Sequence, residues 1–408
     1  MGPRAFTATT VAELRSGNPI NQTMGILRVY LALCVLTAHS SSLLPCPMLN
    51  GRQAVQVFYL ISGFYMQLIL SQRYDKTFQF YRSRLIRVAV PYFVVLAIVV
   101  AISFIVGCLS GNYLSLTPYQ TMQANNGALG VLFAAISNVT LFGQDIVMFL
   151  KHDLGEPLCL THCFRNSPTP LYRYLLIPQC WTIAVELTFY WFAPWLAKRK
   201  TAFLTAIVVL SLLARITAYE LFGLNQDPFN YRFFPFELAI FVSGMLSFRL
   251  YETLNLRLNW SLDTDSRKGA KRSILAAIAG TILLGTVAAT LTKGLGLVIG
   301  KEYAELISYA GWALVVVGLF HLFRSSEWDR KIGELSYPIY LLHFFVIELV
   351  TTFASQFAGQ PVHISWLAAF ITVGSSIAMC RWIIQPLDRF RHLLSQPRSA
   401  DPMQACLA

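Results

Sequence analysis

An arginine and a histidine stand eleven residues apart in GILRVYLALCVLTAHSS, residues 25–41, an apolar run of the kind that spans a bilayer. At 100° per residue, eleven steps return to within about 20° of the starting direction, after about 16 Å of helical rise. One face of one helix thus offers a fixed positive charge at Arg28 and, further along, an imidazole at His39 that can act as a base. Both are costly in hydrocarbon, and ionisable side chains within membrane segments are functional candidates by default. The structural alternative is a snorkelling arginine and a hydrogen-bonded core histidine.

Four further stretches carry polar groups that a membrane should not contain. In FYRSRLIRVAVPYF (80–93), Arg84 and Arg87 fall at i, i+3 on one helical face. Paired guanidiniums suit phosphate, because each can donate two parallel hydrogen bonds; the alternative is a topology-setting cluster touching lipid headgroups. In QCWTIAVELTFYWF (179–192), Glu186 lies among aromatic residues, where a carboxylate must be paired or protonated. Either state suits a group that orients a histidine or exchanges a proton, and a buried ion pair is the alternative. In LSYPIYLLHFF (335–345), Ser336, Tyr340 and His343 form a polar stripe at i, i+4, i+7. In VFYLISGFYM (57–66), Ser62 and Gly63 permit close helix packing or leave room for a substrate chain. Arg215, Glu220, Tyr231, Arg232 and Glu237 are held as salt-bridge or acceptor-site residues. HDLGEPLCLTHC (152–163) has a spacing that fits no zinc pattern, so no metal is expected.

The elements that must position these groups follow from composition. Of 408 residues, 55% are hydrophobic and only 13% charged, against about 25% charged in soluble domains; the mean hydropathy is +0.54. This predicts an all-α, polytopic membrane bundle rather than several soluble domains. The net charge of +12 points to basic cytoplasmic loops, and no nucleic-acid-reading motif is present. The first apolar run is too long for the core of a cleavable signal peptide, so none is expected.

Eleven apolar blocks stand out, at 25–45, 54–72, 88–109, 127–150, 181–197, 201–222, 233–250, 273–292, 303–323, 335–354 and 364–384. Basic clusters assign their sides: Arg73 to Arg87, Lys198-Arg199-Lys200, Arg249 to Arg272 (with Arg257, Arg267, Lys268 and Lys271), Arg324 to Lys331 and Arg389 to Arg398 (with Arg391) all read as cytoplasmic. Consistency then requires that 127–150, which carries Asn138, Gln144 and Asp145, does not cross but lies on or re-enters the outer face. Ten transmembrane helices with both termini cytoplasmic result. Residues 1–23 and 393–408 become cytoplasmic ends, 24–392 the membrane domain, and 110–180 an extracytoplasmic segment. Of eight cysteines, Cys34, Cys108 and Cys380 read as packing residues. Cys46, Cys159, Cys163 and Cys180 fall outside, where a disulfide can form.

Taken together these stretches resemble the acyltransferase 3 family of integral membrane acyltransferases. The resemblance is carried by Arg28 and His39 in the first helix, Ser62-Gly63-Phe64 in the second, and the cytoplasmic Arg84/Arg87 pair. Trp181 with downstream Glu186, and Ser336, Tyr337, Tyr340 and His343 in a late helix, complete it. It covers about 22–392, in order. It implies an acyl-CoA-dependent O-acyltransferase of the bacterial cytoplasmic (inner) membrane. A small acyl group, acetyl or succinyl, would pass from cytoplasmic acyl-CoA to a hydroxyl of an extracytoplasmic polysaccharide or glycolipid. Acyl-CoA is then a donor substrate, and no permanently bound cofactor is expected. Some relatives carry a fused extracytoplasmic hydrolase-like domain, which this chain is expected to lack. On this reading Arg84 and Arg87, with Arg28 just inside, hold the phosphates. His39 acts as base or transient acyl carrier, Glu186 holds its other nitrogen, and Ser62, Trp181, Ser336, Tyr340 and His343 line the substrate cavity. A proton-coupled secondary transporter is the alternative, since buried Arg, His and Glu suit proton coupling equally well. A non-catalytic scaffold is a third reading that leaves the intramembrane charges unexplained.

Overall fold

The computed structural model describes residues 23–41, 43–72, 77–120, 128–153, 156–258, 274–324, 326–354 and 361–389. Arg73, Lys76, Arg267, Lys268, Lys271, Arg272, Arg391 and Arg398, and the ends 1–22 and 393–408, lie outside the described residues. The helices are α1 (Gly25–His39), α2 (Gly51–Gln72), α3 (Thr77–Ser110), α4 (Ala128–Thr140), α5 (Trp181–Ala197), α6 (Thr201–Phe222), α7 (Phe234–Leu258), α8 (Ile274–Ile299), α9 (Lys301–Phe323), α10 (Glu327–Gly333), α11 (Ser336–Ala354) and α12 (Pro361–Met379), the last running on into a π-helical turn at Cys380–Ile384. Among the described residues, eight helices are long and apolar enough to cross a membrane. α1 and α5, at 15 and 17 residues, fall short of the roughly 20 that span the hydrocarbon core.

Block 127–150 folds as α4, only 13 residues long and about 20 Å in rise, less than a bilayer core. Its Leu129, Leu132, Ile136 and Val139 are exposed along one face. The polar residues that argued against a crossing face inward. Asn138 donates to the Tyr174 carbonyl at 2.8 Å and accepts from the Leu176 amide at 3.0 Å. Gln144 donates to the Tyr92 hydroxyl of α3 at 3.0 Å. A small antiparallel pair, β1 (Leu150–Asp153) and β2 (Glu156–Leu160), follows with Leu150 opposite Leu160; no strand was expected there. Cys34 and Cys380 are buried, whereas Cys108 is exposed. Cys46, Cys159, Cys163 and Cys180 are all free thiols, so no disulfide forms among the described residues.

Two backbone contacts set the frame around the candidate residues. Where α2 crosses α7, a Cβ on Gly63 would lie 1.8 Å from the Phe241 carbonyl oxygen, and one on Gly244 would lie 2.0 Å from that of Leu60. Helices associate in lipid through this kind of close packing at small residues, there being no hydrophobic drive between them. Where α1 meets α10, a Cβ on Gly25 would lie 1.7 Å from the Asp329 carbonyl oxygen. The Asp329 side chain, fully buried, accepts from the amides of Gly25 at 2.8 Å and Ile26 at 3.0 Å. It thereby satisfies two of the orphan donors at the start of α1 and places an anion at the positive end of that helix. The basic cluster from Arg324 to Lys331 reads in sequence as a loop, and Glu327–Gly333 folds as a short helix instead.

α1 stops at His39 instead of running to residue 45. The Ser40 hydroxyl folds back onto the Leu36 carbonyl at 3.1 Å, and the Ser41 amide is held by the Ser365 hydroxyl of α12 at 2.9 Å. Local serine hydrogen bonds compete with helix continuation here, and Pro45 follows shortly after.

Gly63→Val is expected to lower stability by about 3 kcal/mol or more, the upper end of overpacking penalties, because the obstacle is backbone. Thermal unfolding of purified protein measures this, and a Gly63→Ala variant should fall between Val and wild type.

Candidate active site

Five helix faces converge on one cavity of about 930 Å³ of empty space, part of it open to the exterior. α1 contributes Arg28. α2 contributes Val55, Phe58, Tyr59, Ser62, Tyr65 and Met66, a stripe at helical spacing. α3 contributes Arg84, Arg87 and Val88; α5 contributes Thr182, Ile183, Glu186 and Tyr190; α11 contributes Ser336, Tyr337 and Tyr340. Arg28 and the Arg84/Arg87 pair, more than fifty residues apart in sequence, therefore line one space. Arg84 is 4% exposed, and buried guanidinium groups in such a setting demand anionic or strongly accepting partners.

Glu186 is the carboxylate of the same lining. Its carboxylate accepts from the Ser62 hydroxyl and from the Tyr190 hydroxyl, each at 2.5 Å. Ser62 reaches it because the Gly63 contact draws α2 tightly against α7 and, beside it, α5. Tyr190 lies one turn beyond Glu186 and Thr182 one turn before it. The i, i+4, i+8 spacing of these three residues could have been read from the sequence. Glu186 is not bonded to His39, so the expected carboxylate–imidazole pair is absent.

His39 and His343 stand together beyond the Tyr340 end of the cavity and are not among its lining residues. Their ring centres are 5.4 Å apart, and that of His39 is 5.3 Å from Phe344. His343 is fully buried, and its Nδ1 lies 2.7 Å from the Tyr340 carbonyl oxygen. The Tyr340 hydroxyl is 2.7 Å from that of Thr182 and donates to the Gln179 carbonyl at 2.8 Å. His343 thus links the cavity wall, 5.7 Å away at the Tyr340 ring, to His39. The stripe expected on α11 is real, but the expected shared cavity for Arg28 and His39 is not: Arg28 lines the space, and His39 lies two aromatic contacts further along.

Trp181 is also outside the cavity. It is buried under the Arg232 guanidinium, 4.1 Å from the ring centre, and packs edge-on against Tyr231. Arg232 is clamped by Asp227, Nε to Oδ1 at 2.5 Å and Nη2 to Oδ2 at 3.0 Å, and Arg165 pairs with the same carboxylate at 3.2 Å. Arg215 and Glu237 form a fully buried ion pair, to which Gln56 donates at 2.9 Å. Glu220 accepts from Tyr303. The salt-bridge expectation holds for Arg215 with Glu237 and for Arg232 with Asp227, away from the cavity, whereas Glu220 is held by a tyrosine hydroxyl.

With that geometry in view, the comparisons with known proteins are informative. The acyltransferase 3 family model, described as an acyltransferase domain, matches residues 21–381. The chain belongs to the acyltransferase 3 family. With its membrane-spanning helices it is a membrane acyltransferase, and the exporter reading is set aside. Neither a curated protein nor a solved structure matches the chain.

Ser62→Ala combined with Tyr190→Phe strips both donors from the Glu186 carboxylate. Glu186 is partly buried, so leaving its carboxylate without these donors should cost up to about 1–3 kcal/mol. The double variant should therefore melt at lower temperature, and adding Glu186→Gln should recover part of the loss.

Proposed function

We propose that the chain moves a small acyl group, acetyl or succinyl, from cytoplasmic acyl-CoA to a hydroxyl of an extracytoplasmic polysaccharide or glycolipid. The observation that carries this reading is the convergence of Arg28, Arg84 and Arg87 on one cavity. A nucleotide carrying several phosphates needs several fixed cations in one place, and guanidinium forks match phosphate oxygens. The donor enters phosphate-last from the cytoplasmic side, so that its pantetheine arm lies between α2, α5 and α11. The thioester then comes to rest near Ser336, Tyr337 and Tyr340, whose hydroxyls are the polar groups of that wall. Ten crossings with cytoplasmic termini, α1 and α5 being the two short ones, put Arg84 and Arg87 on the donor side. They put the end of α1, at His39, on the acceptor side.

His39 is the base. Its free nitrogen takes the proton of the acceptor hydroxyl as that oxygen attacks the thioester carbon, and CoA leaves as thiol or thiolate. A transient acyl-His39 divides the same transfer into two steps. Glu186 keeps Ser62 and Tyr190 in place and balances the arginine charge across the cavity.

Two outcomes separate donor binding from transfer. Arg84→Ala with Arg87→Ala should weaken acyl-CoA binding by about 10- to 100-fold, the worth of one or two charged hydrogen bonds, as measured calorimetrically on purified protein. His39→Ala should leave that affinity unchanged and abolish acylation of surface glycans, read by mass spectrometry of glycans from cells expressing each variant. Wild-type acylation by a stably expressed His39→Ala protein would reject the role given to His39.

A further inference from the structure

The Nε2 atom of His343 has no hydrogen-bond partner although its residue is fully buried. Its Nδ1 lies 2.7 Å from a carbonyl oxygen, that of Tyr340. A carbonyl can only accept, so the proton sits on Nδ1 and the lone pair on Nε2. An acceptor without a donor is thus held in the protein interior, which normally costs about 1–3 kcal/mol. The neighbour that can meet it is the exposed His39 ring, 5.4 Å away between centres and tilted by 34°. Two imidazoles at that separation bring their nitrogens to about 3 Å once one points at the other, within hydrogen-bond range. The side chain that must turn is that of His39, which ends α1 and is exposed.

We propose that His343 is the positioning residue of His39: its Nε2 accepts a hydrogen bond from a His39 N–H, fixing the His39 tautomer and leaving the other His39 nitrogen bare for the acceptor hydroxyl. A carbonyl–imidazole–imidazole line, Tyr340 to His343 to His39, then does for His39 what a carboxylate does in other His-based sites. Glu186, bonded to Ser62 and Tyr190, is not needed for it. No proton leaves the pair in this arrangement, because His343 accepts a hydrogen bond and transfers nothing. The catalytic consequence rests on the function proposed above, whereas the pairing itself does not.

The test uses purified full-length protein and two readouts. The first is the rate at which diethyl pyrocarbonate modifies His39, followed by peptide mass spectrometry; this reagent attacks an unprotonated imidazole nitrogen and needs no acyl acceptor. The second is glycan acylation in cells. His343→Asn retains a donor for the Tyr340 carbonyl but offers nothing at the Nε2 position, whereas His343→Gln reaches that position with an amide oxygen. The Asn variant should slow both His39 modification and acylation, acylation by about 10- to 100-fold, as removal of a histidine's orienting partner does at metal sites. The Gln variant should restore a large part of both, with melting temperatures and acyl-CoA affinity unchanged. If the Asn variant does not fold, His343→Ala assayed with and without added imidazole replaces it, and rescue by imidazole is the expected result. Unchanged His39 modification in a folded Asn variant, or no rescue in the Ala variant, overturns the proposal. Slowed modification with normal acylation upholds the pair and refutes the role of His39 in transfer.

Discussion

Charge inside hydrocarbon is the constraint on which the structure depends. Each guanidinium that leaves water must be compensated by fixed acceptors, by a counter-ion or by a ligand. Among the described residues, Arg215 is compensated by Glu237, and Arg52 by Glu302 at 2.6 Å with Glu305 beside it. Arg28, Arg84 and Arg87 line one cavity together with Glu186, whose carboxylate accepts from two hydroxyls. Three guanidinium side chains to one carboxylate in a single lining give that cavity a positive character suited to an anion.

Such a site needs rigid walls, and these come from backbone contacts more than from side chains. The Gly63–Phe241 and Gly244–Leu60 approaches lock α2 to α7 and hold the aromatic stripe of α2 against α5. Phe241 extends the lock by stacking on Tyr59 at 4.5 Å and Phe189 at 4.3 Å. At the opposite end of α1, the Asp329 carboxylate on the Gly25 and Ile26 amides fixes the helix one turn before Arg28. Arg28 therefore projects from a capped turn. Its sequence partner His39 is the last residue of α1, at the other end, and its side chain is exposed.

Much of this was legible in the sequence because membranes make polar residues conspicuous. Arg28, Arg84, Arg87, Glu186, Ser62, Ser336 and Tyr340 all line the cavity, and each was singled out as a polar group where apolar ones were expected. The helical blocks followed from length and hydropathy, and block 127–150 forms a helix of only 13 residues. What was not legible depends on depth and distance. Helical periodicity placed Arg28 and His39 on one face, but a face 16 Å long borders different neighbours at its two ends, and His343 intervenes. Trp181 was assigned by its company in a motif, whereas its ring is covered by Arg232, a contact between the start of α5 and a segment remote in sequence. Asp329 was invisible because a helix-capping carboxylate 304 residues away from its amide leaves no local signal.

The central claim is that the three-arginine cavity holds the phosphates of an acyl-CoA whose thioester points toward Tyr340. An experimental structure with a non-transferable thioether analogue of acetyl-CoA tests it most directly. The account predicts phosphate density within hydrogen-bond distance of Arg84 and Arg87, with the pantetheine arm running between Ser62 and Tyr337 toward Tyr340. Analogue bound elsewhere on the bundle, with the arginines facing solvent or lipid headgroups, would contradict it.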